Sequence, residues 1–410
     1  MKLFAVVADG FTDLGAHLGR TALQTLGVVL GVASVVATLG LSAGGKEKAM
    51  QYYAESGGAL KVIVYPKPVE SIQVTARQRA SLGLTLDDIE AIKATIPGFD
   101  LVEPEVEKRL LCRTPQLTRS RDVTGTGVTY GELNELVLER GRFLTADDVA
   151  TSAAVCVLGA DRAEEFFGTD DPLGKNITLG SGNYTVVGLL KYREFYWNKA
   201  ETYNALGWMN RVILVPVTAI LAREVGSGSQ KVEDFALRLR SAEAHKDALP
   251  ALRRLLLTRH GAEDFQVYDR QERLQQMDQE GKVYDVAFFA CGLISLLVGG
   301  IVVANIMLAS FRERMREVGV RKALGAKGWH IAVQFLVESV VVSGFGGLVG
   351  LAAGVGFVHG LAYLIDQPAA LTPVMILAAV VCSTFVGVFF GFVPAVMASR
   401  LDPVVALRYE

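Results

Sequence analysis

The sequence contains few of the residues from which metal and catalytic sites are built. It has four cysteines and five histidines in 410 residues, with no CxxC spacing and no ligand spacing among the histidines. It also lacks an HExxH pattern and any serine or cysteine nucleophile motif. We therefore predict no catalytic residue, no metal site and no cofactor bound by this chain, and a membrane-anchored enzyme is the least favoured class of function.

Charge is also scarce. Charged residues make up 20% of the chain, the formal net charge is -2, and apolar residues make up 51%. There is no basic tail or basic patch with interleaved aromatic residues, so nucleic acid is excluded as a partner. The composition favours a membrane protein that carries a soluble part.

The four cysteines fall into two groups. Cys291 and Cys382 lie in apolar runs, where a thiol behaves as a small hydrophobic group. Cys112 and Cys156 lie in the polar part of the chain and could pair if that part faces an oxidising compartment. Sequence alone leaves that pairing open.

Four apolar runs are long enough to cross a bilayer of about 30 Å. The predicted spans are residues 21–44, 285–310, 331–364 and 373–398. The first is longer than the apolar core of a signal peptide, so an uncleaved helix is predicted. Residues 1–20 have apolar side chains at helical spacing, which indicates either an amphipathic helix on the cytoplasmic membrane face or an ordinary helical lead-in.

Basic residues cluster on one side of these runs. Six lie between Arg312 and Lys327, whereas none lies between His359 and Thr372. By the positive-inside rule, the loop 311–330, the N-terminus and the tail 399–410 are cytoplasmic, and residues 45–284 form a large periplasmic or extracellular domain.

This domain has the pattern of an α+β fold. Residues 60–65, 102–113, 232–240 and 264–268 are predicted strands, and residues 85–95 and 242–260 are predicted helices. Two βαβ units separated by a long insertion predict a split ferredoxin-like subdomain, with residues of about 125–230 forming an inserted second subdomain. Residues 269–284 are predicted to be a polar helix that continues into the second span.

Glycines recur at four-residue spacing in three of the four spans. Such spacing lets helices approach closely, within one protomer or between protomers of a dimer. The glycines concerned are Gly27, Gly31, Gly346, Gly350, Gly354, Gly387 and Gly391.

Three other features admit a functional and a plain interpretation. Glu338, within the third span, is either a proton-relay group or the partner of a loop arginine, and the second is favoured. Residues 40–46 (GLSAGGK) lack the hydroxyl residue that a phosphate-binding loop needs, so they are interpreted as a coincidental match. The aromatic segment 192–211 is either a lip for an apolar ligand or, as favoured, a loop packed by its own rings.

Several separated motifs resemble the MacB/FtsX-type ABC transporter permeases. The stretch NIMLASFRERMREVGVRKALGAKGWHIAVQFLVESVVVSGFGGLVG resembles the permease signature, and FVPAVMASRLDPVVALRYE is similar to the tail that closes such chains. RGRFLTADDV, VLGADRAEEFFG, DPLGKNITLG and YTVVGLL resemble motifs of the extracytoplasmic core domain, and ALQTLGVVLGVASVVATLGLSAGG resembles the first span.

This resemblance implies an inner-membrane subunit that forms a homodimer, or a heterodimer with a paralogous permease, and is driven by a separate ATPase that binds ATP and Mg²⁺. The charged loop would be the element that docks in a groove of that ATPase, with Met315 and Val318 as its apolar face and Gly325 as the C-cap of its helix. The coupling residues so implied are Arg312, Arg314, Met315, Arg316, Glu317, Val318, Arg321, Lys322 and Gly325. Without the resemblance, a role of these charges in topology alone would be favoured.

Two functions remain after these exclusions. The leading expectation is a permease that exports or extracts a substrate at the outer side of the membrane. The alternative is a mechanotransmission subunit that moves nothing and activates a periplasmic partner such as a cell-wall hydrolase. The sequence leaves open the substrate (lipoprotein, peptide, lipid or drug-like amphiphile) and the presence of a periplasmic adaptor or outer-membrane partner.

Overall fold

The computed structural model describes residues 18–67, 83–198, 201–226, 228–365 and 370–407. These residues form two compact units. The helical unit consists of the described residues of Met1–Lys48 and Asp278–Glu410, and the sheet unit is Ala49–Met277 without its undescribed residues. The lead-in helix expected at residues 1–20 lies almost wholly outside the described residues.

The helices and strands follow one another in this order: α1 (Leu18–Glu55), β1 (Lys61–Pro66), α2 (Leu86–Thr95), β2 (Phe99–Arg113), β3 (Thr118–Thr126), α3 (Tyr130–Leu133), β4 (Leu138–Gly141), α4 (Ala146–Ala150), β5 (Val155–Leu158), α5 (Ala160–Phe167), β6 (Asn176–Leu179), β7 (Gly182–Leu190), α6 (Gly207–Asn210), β8 (Ile213–Pro216), α7 (Val217–Ile220), β9 (Asp234–Leu239), α8 (His245–His260), β10 (Phe265–Asp269), α9 (Arg270–Glu313), α10 (Met315–Ala323), α11 (Gly328–Ile365), α12 (Pro373–Arg400) and α13 (Pro403–Leu407).

Four helices of the described chain are long and apolar enough to cross a membrane. The segments concerned are Thr25–Glu55, Arg270–Glu313, Gly328–Leu364 and Pro373–Arg400. The prediction of four apolar spans is therefore confirmed by length and composition. The polar residues that open α9 continue into its apolar part without a break, as the sequence predicted.

A ten-stranded sheet forms the framework of the sheet unit. Its strand order is β10-β1-β9-β2-β3-β8-β5-β7-β4, and β6 pairs with β2 and β7. Strand β1 is antiparallel to both β10 and β9, and β9 is antiparallel to β2. Each of the six elements predicted for these two βαβ units is present, with ends that differ by three residues or fewer.

The inserted residues extend the same sheet. Strand β3 pairs antiparallel with β2 along most of their length, and β8 joins β3 in parallel. Strands β3, β4, β6 and β8 were not predicted. Strand β3 (TRSRDVTGT) is mostly polar and exposed at its start, and the other three have four residues each, so none shows a clear alternation of apolar and polar side chains.

Helices α2 and α8 pack on the sheet through a shared core. Ile89 and Ile92 of α2, and Leu252 and Leu256 of α8, are buried in it. Helix α2 begins with a capping box, in which the backbone N–H of Thr85 donates to Asp88 Oδ2 at 2.9 Å.

Candidate coupling site

The charged loop between the second and third apolar helices is a short helix of its own. Helix α9 ends at Glu313, and Arg314 interrupts it with φ -97° and ψ 8° before α10 begins. The Arg314 carbonyl already accepts from the Val318 N–H at 3.0 Å, which starts the new helix. The segment therefore changes direction at one residue.

The C-terminal end of α10 is fixed by a glycine. Gly325 has φ +96°, a left-handed conformation that side chains other than glycine rarely adopt. Its N–H donates to the Lys322 carbonyl, and the Ala326 N–H donates to the Arg321 carbonyl, both at 3.0 Å. These two bonds form a Schellman motif, in which Gly325 stands one position beyond the C-cap Leu324.

One face of α10 is buried within the helical unit. Val318 is 4% exposed, and a Cβ built on Gly319 would lie 2.5 Å from Cβ of Ala406 in α13. The Lys322 ammonium donates to the carbonyls of Ser399 and Leu401 at 2.7 and 2.6 Å, at the C-terminal end of α12. A cation at this end of a helix satisfies carbonyls that have no partner within the helix.

These contacts correct two expectations about the loop. Val318 cannot be the exposed apolar face, because it belongs to the core of the helical unit, and Met315 is partly buried against the same core. Lys322, which the resemblance implied as a coupling residue, is engaged with the carbonyls of Ser399 and Leu401. Both faces of α10 mix apolar and charged residues, so its sequence alone does not reveal which face is buried.

The opposite face of α10 and the turn after it are exposed. Arg316 lies on this face, and Arg312 is exposed near the end of α9. Arg321 donates to Glu317 at 2.5 Å and to Gln334 at 3.0 Å. The exposed apolar side chains are Val320 (43%), Leu324 (84%) and Trp329 (60%). The sequence prediction missed these three; the helical spacing of Val320 and Leu324 with Arg316 is the signal that could have identified two of them.

Glu338 of α11 lies 3.6 Å from Arg314, measured between its Oε1 and Nη1 of the arginine. This is the pairing with a loop arginine that the sequence favoured over a proton relay. The ion pair connects the residue between α9 and α10 to the third apolar helix.

Gly27 and Gly31 of α1 lie against α9. A Cβ built on Gly27 would lie 2.2 Å from the Cα of Gly299, and one on Gly31 would lie 2.6 Å from Cγ of Leu296. No side chain larger than hydrogen fits at Gly27 without moving a backbone. The sequence prediction did not include Gly299, because no glycine stands four residues from it.

The other predicted glycines also lie at helix contacts within the helical unit. Gly346, Gly350 and Gly354 of α11 face α1, where Cβ atoms would lie 3.2, 2.9 and 2.9 Å from the nearest atoms. Gly387 and Gly391 of α12 face Ser343 and Ser339 of α11. All seven glycines therefore lie at helix–helix contacts inside one protomer.

The structure also shows where three other sequence features lie: the glycine-containing residues 40–46, the aromatic segment and the two cysteines of the sheet unit. Residues 40–46 lie inside α1, where no phosphate-binding loop can form. In the aromatic segment, Phe195 and Trp197 pack on Tyr52 with ring centroids 5.4 and 5.1 Å apart. Cys112 and Cys156 are buried thiols with no disulfide between them, and burial raises the pKa of Cys112 to about 11.

The fold and this site together define a class of protein. It is a multi-pass membrane protein with an α+β unit and a cation-rich helix held between apolar helices. Residues 21–255 match the family described as MacB-like periplasmic core domain, and residues 289–403 match the FtsX-like permease C-terminal family. The chain belongs to the MacB/FtsX-type ABC transporter permeases.

Two relatives illustrate this membership. The macrolide export ATP-binding/permease protein MacB of Rhodospirillum rubrum is 34% identical over 401 residues, which cover 97% of this chain and 59% of the relative. The uncharacterized ABC transporter permease YknZ of Bacillus subtilis is 29% identical over 411 residues, which cover the full length of both. The chain thus spans about three fifths of the length of such MacB relatives.

Among solved structures, the periplasmic region of MacB from Actinobacillus actinomycetemcomitans is similar to part of the chain. The match has 18% sequence identity and a TM-score of 0.46, and it covers 56% of this chain and 98% of that structure.

Proposed function

We propose that this chain is the membrane-spanning subunit of an ABC transporter, and that it couples ATP hydrolysis by a partner ATPase to movement of its periplasmic domain. The movement drives export or extraction of a substrate at the outer side of the inner membrane. The MacB relatives are named as macrolide exporters, so an amphiphilic drug-like molecule is one substrate class to test.

The observation that carries this proposal is the construction of α10. One face is fixed by Lys322, Gly319 and the Schellman turn, while the other presents Arg316, Val320 and Leu324 to solvent. A short rigid helix with an exposed mixed face suits insertion into a groove of a partner, where apolar residues supply affinity and arginines supply orientation. We assign the docking surface to Arg312, Arg316, Val320, Arg321, Leu324 and Trp329.

We further propose the topology that this role requires. The loop 311–330, the N-terminus and the tail 399–410 are cytoplasmic, and the domain 45–284 is periplasmic and lies between the first and second membrane helices. The excess of Lys and Arg around α10 supports this orientation. The strand order β10-β1-β9-β2, with α2 and α8, supports a split ferredoxin-like subdomain carrying the insertion.

The ATPase is proposed to be a separate subunit that holds the ATP and Mg²⁺. The full-length match to a relative named only as a permease supports this arrangement. The assembly is proposed to be a homodimer or a heterodimer with a paralogous permease in the lipid bilayer. Further partners, such as a periplasmic adaptor or an outer-membrane channel, belong to the same proposal.

A second function within the family is mechanotransmission without transport. The uninterrupted helix α9, which includes residues of both units, suits the transfer of a stroke to a periplasmic partner such as a cell-wall hydrolase as well as it suits transport. Activation of a hydrolase by the reconstituted complex, with no substrate movement, would establish this second function in place of the first.

The docking surface is tested by substitution of its exposed centre. The chain is purified from its native membrane, the bound ATPase is identified by mass spectrometry, and ATP turnover of the complex is measured in lipid nanodiscs. Leu324→Asp and Arg316→Glu should each lower co-purification of the ATPase and its stimulated turnover by about tenfold or more. The first introduces a carboxylate into an apolar contact, and the second reverses the charge of an arginine at the proposed interface.

Matched controls come from the sheet unit. Leu111→Asp and Arg119→Glu make the same changes at exposed positions of β2 and β3. They should leave ATPase binding and turnover unchanged. Equal losses in the control and test variants, or no loss in either, would refute the assignment of the docking surface.

A further inference from the structure

The sheet unit contains a polar cavity of about 430 Å³ that no part of the proposed coupling mechanism uses. This volume lies within the range of small-molecule binding sites and far exceeds the space of a single metal ion. Its lining residues come from the strands β1, β2, β3 and β9 and from the segments near α3, α5 and α6. They are Lys61, Ile63, Glu105, Glu107, Asp122, Thr124, Tyr130, Asn134, Arg162, Trp208, Arg211, Val212 and Asp234.

Four carboxyl groups line the cavity from the sheet. Glu105 of β2 stands directly opposite Asp234 of β9 in the strand register, and the two carboxyl groups share a hydrogen bond. Like charges at directly opposed positions weaken a sheet. In the part of the chain that the structure describes, none of the four, Glu107 and Asp122 included, forms an ion pair with a basic side chain.

The carboxyl pair is poorly compensated. Asp234 Oδ1 is buried and has no hydrogen-bond partner among the described residues. Burial, together with the charge of Glu105, raises the pKa of Asp234 to about 8, and burial also raises the pKa of Glu105. A group that brought a positive charge and N–H donors would stabilise the ionised form of both carboxyl groups.

Basic groups line the same cavity from other elements. Lys61 is 4% exposed and donates to Oδ1 of Asn134. Its charge acts on Glu105 and Asp234 through space, without a direct ion pair to either. Arg162, on α5, is held by Glu165 at 2.7 Å and donates to the Arg211 carbonyl at 2.9 Å. Arg211 donates from its Nε to the Gly207 carbonyl at 3.1 Å, which leaves its terminal guanidinium nitrogens out of that bond.

The cavity therefore combines unpaired acids from the sheet with basic groups from β1, α5 and the segment after α6. We propose that it is a binding site for a small organic zwitterion, whose ammonium group binds Glu105 and Asp234 and whose anionic group binds Arg211 and Arg162. Trp208 and Tyr130 supply aromatic surface beside the ammonium. Among the described residues no group of His, Cys, Asp and Glu side chains is arranged to hold a metal ion.

Three matched probes test this site on the purified full-length chain in detergent, by isothermal titration calorimetry. The probes are 6-aminohexanoate, which carries both charges, 6-aminohexan-1-ol, which lacks the carboxylate, and 6-hydroxyhexanoate, which lacks the ammonium. The zwitterion should bind with a Kd at least about tenfold lower than either analogue, because each charge-assisted contact adds affinity. No saturable binding of the zwitterion, or equal Kd values for the three probes, would overturn the proposal.

Two variants assign the two ends of the ligand. Asp234→Asn should weaken binding of 6-aminohexanoate about tenfold and leave 6-hydroxyhexanoate unaffected, because only the ammonium contact is lost. Arg211→Gln should weaken binding of both carboxylate probes and leave 6-aminohexan-1-ol unaffected. A merely structural defect would affect the three probes alike, and that result would count against the site.

Glu139→Gln is the control, because it removes an exposed carboxylate from β4, away from the cavity lining. It should change no Kd. The measurement needs no ATPase, so a negative result would refute the zwitterion site and leave the proposed coupling function standing.

Discussion

Gly350 and Gly356 stand on the same helix, α11, in different surroundings. A Cβ on Gly350 would lie 2.9 Å from the Val29 carbonyl and from Cβ of Val32, whereas a Cβ on Gly356 would meet nothing within 4 Å. Gly350→Leu should therefore lower the apparent Tm of the detergent-solubilised chain by about 5 °C or more, and Gly356→Leu should change it little. Equal effects of the two substitutions would show that α1 does not pack at Gly350.

His260 joins two elements of the sheet unit through carboxylates. Its Nδ1 lies 2.7 Å from Asp264 Oδ1, and its Nε2 lies 3.2 Å from Asp88 Oδ2. The bonds to Asp88 and then Asp264 raise the pKa of His260 above its usual value. Burial acts to raise the pKa of Asp88, but hydrogen bonds from His260, Arg259 and Thr85 outweigh it and hold that pKa well below the usual value.

These shifts predict how stability changes with pH. The contribution of protonated His260 is fully present below the unfolded histidine pKa of about 6.5 and is lost as pH rises through its raised folded value. The contribution of Asp88 is present above about pH 4 and is lost as pH falls further. His260→Gln should cost about 1–3 kcal/mol near pH 6 and less near pH 9.

Thermal unfolding of the two proteins at each pH provides the measurement. His330→Gln is the control, because His330 forms no ion pair with a carboxylate in the described chain. A destabilisation by His260→Gln that is the same at pH 6 and pH 9 would contradict the ionic role of His260.

At the scale of elements, α10 and α13 pack closely because residue 319 is a glycine. A Cβ on Gly319 would meet Cβ of Ala406 at 2.5 Å. Gly319→Leu should separate α13 from α10 and increase amide hydrogen exchange in residues 403–407 and 315–323, because their mutual burial is lost. Ala323→Leu places the same side chain on the exposed face of α10 and should leave exchange unchanged.

An element can be predicted from the sequence when the residues that determine it are neighbours in the chain. The apolar helices could be predicted because a membrane span needs only length and hydropathy, both of which are local. The capping box at Thr85 and the glycine stop at Gly325 could be predicted for the same reason. The buried face of α10 could not, since Val318 belongs to a core that includes Ala395 and Ala398 of α12, which are distant in sequence.

At the scale of the whole molecule, α9 is the element whose continuity the proposed function needs. It includes Met277 of the sheet unit and Asp278 of the helical unit, and Gln279 lies exposed beside this boundary. Gln279→Pro removes a helix hydrogen bond and introduces a ring that clashes with the preceding turn, at a cost of about 3 kcal/mol. We expect the ATPase to bind normally while substrate movement or partner activation is lost.

Reconstituted complexes of Gln279→Pro and Gln279→Ala provide the comparison. The alanine variant keeps the helix and should retain full coupling. Full coupling in the proline variant would show that α9 transmits no stroke.

For the molecule as a whole, the sequence did not predict which distant segments pair with one another. The two βαβ units were visible as separate patterns, but the parallel alignment of Thr124–Thr126 with Leu214–Pro216 has no local signature. Gly27 likewise predicted a close helix contact without indicating that Gly299 is its partner. The cavity lined by Glu105 and Asp234 depends on the pairing of β2 with β9 and was not predicted.

Strand β8 is joined to its neighbours in this sheet by few residue pairs. It is joined to β3 only through Thr124, Gly125 and Thr126, and to β5 only through Val157 and Leu158, whereas β2 and β3 are paired from Glu105 to Arg113. A pull that separates the inserted strands from β2 and β3 would load these pairs together with the two that join β6 to β2. If the proposed stroke passes through the inserted strands, the force at which these few pairs open would set its upper limit.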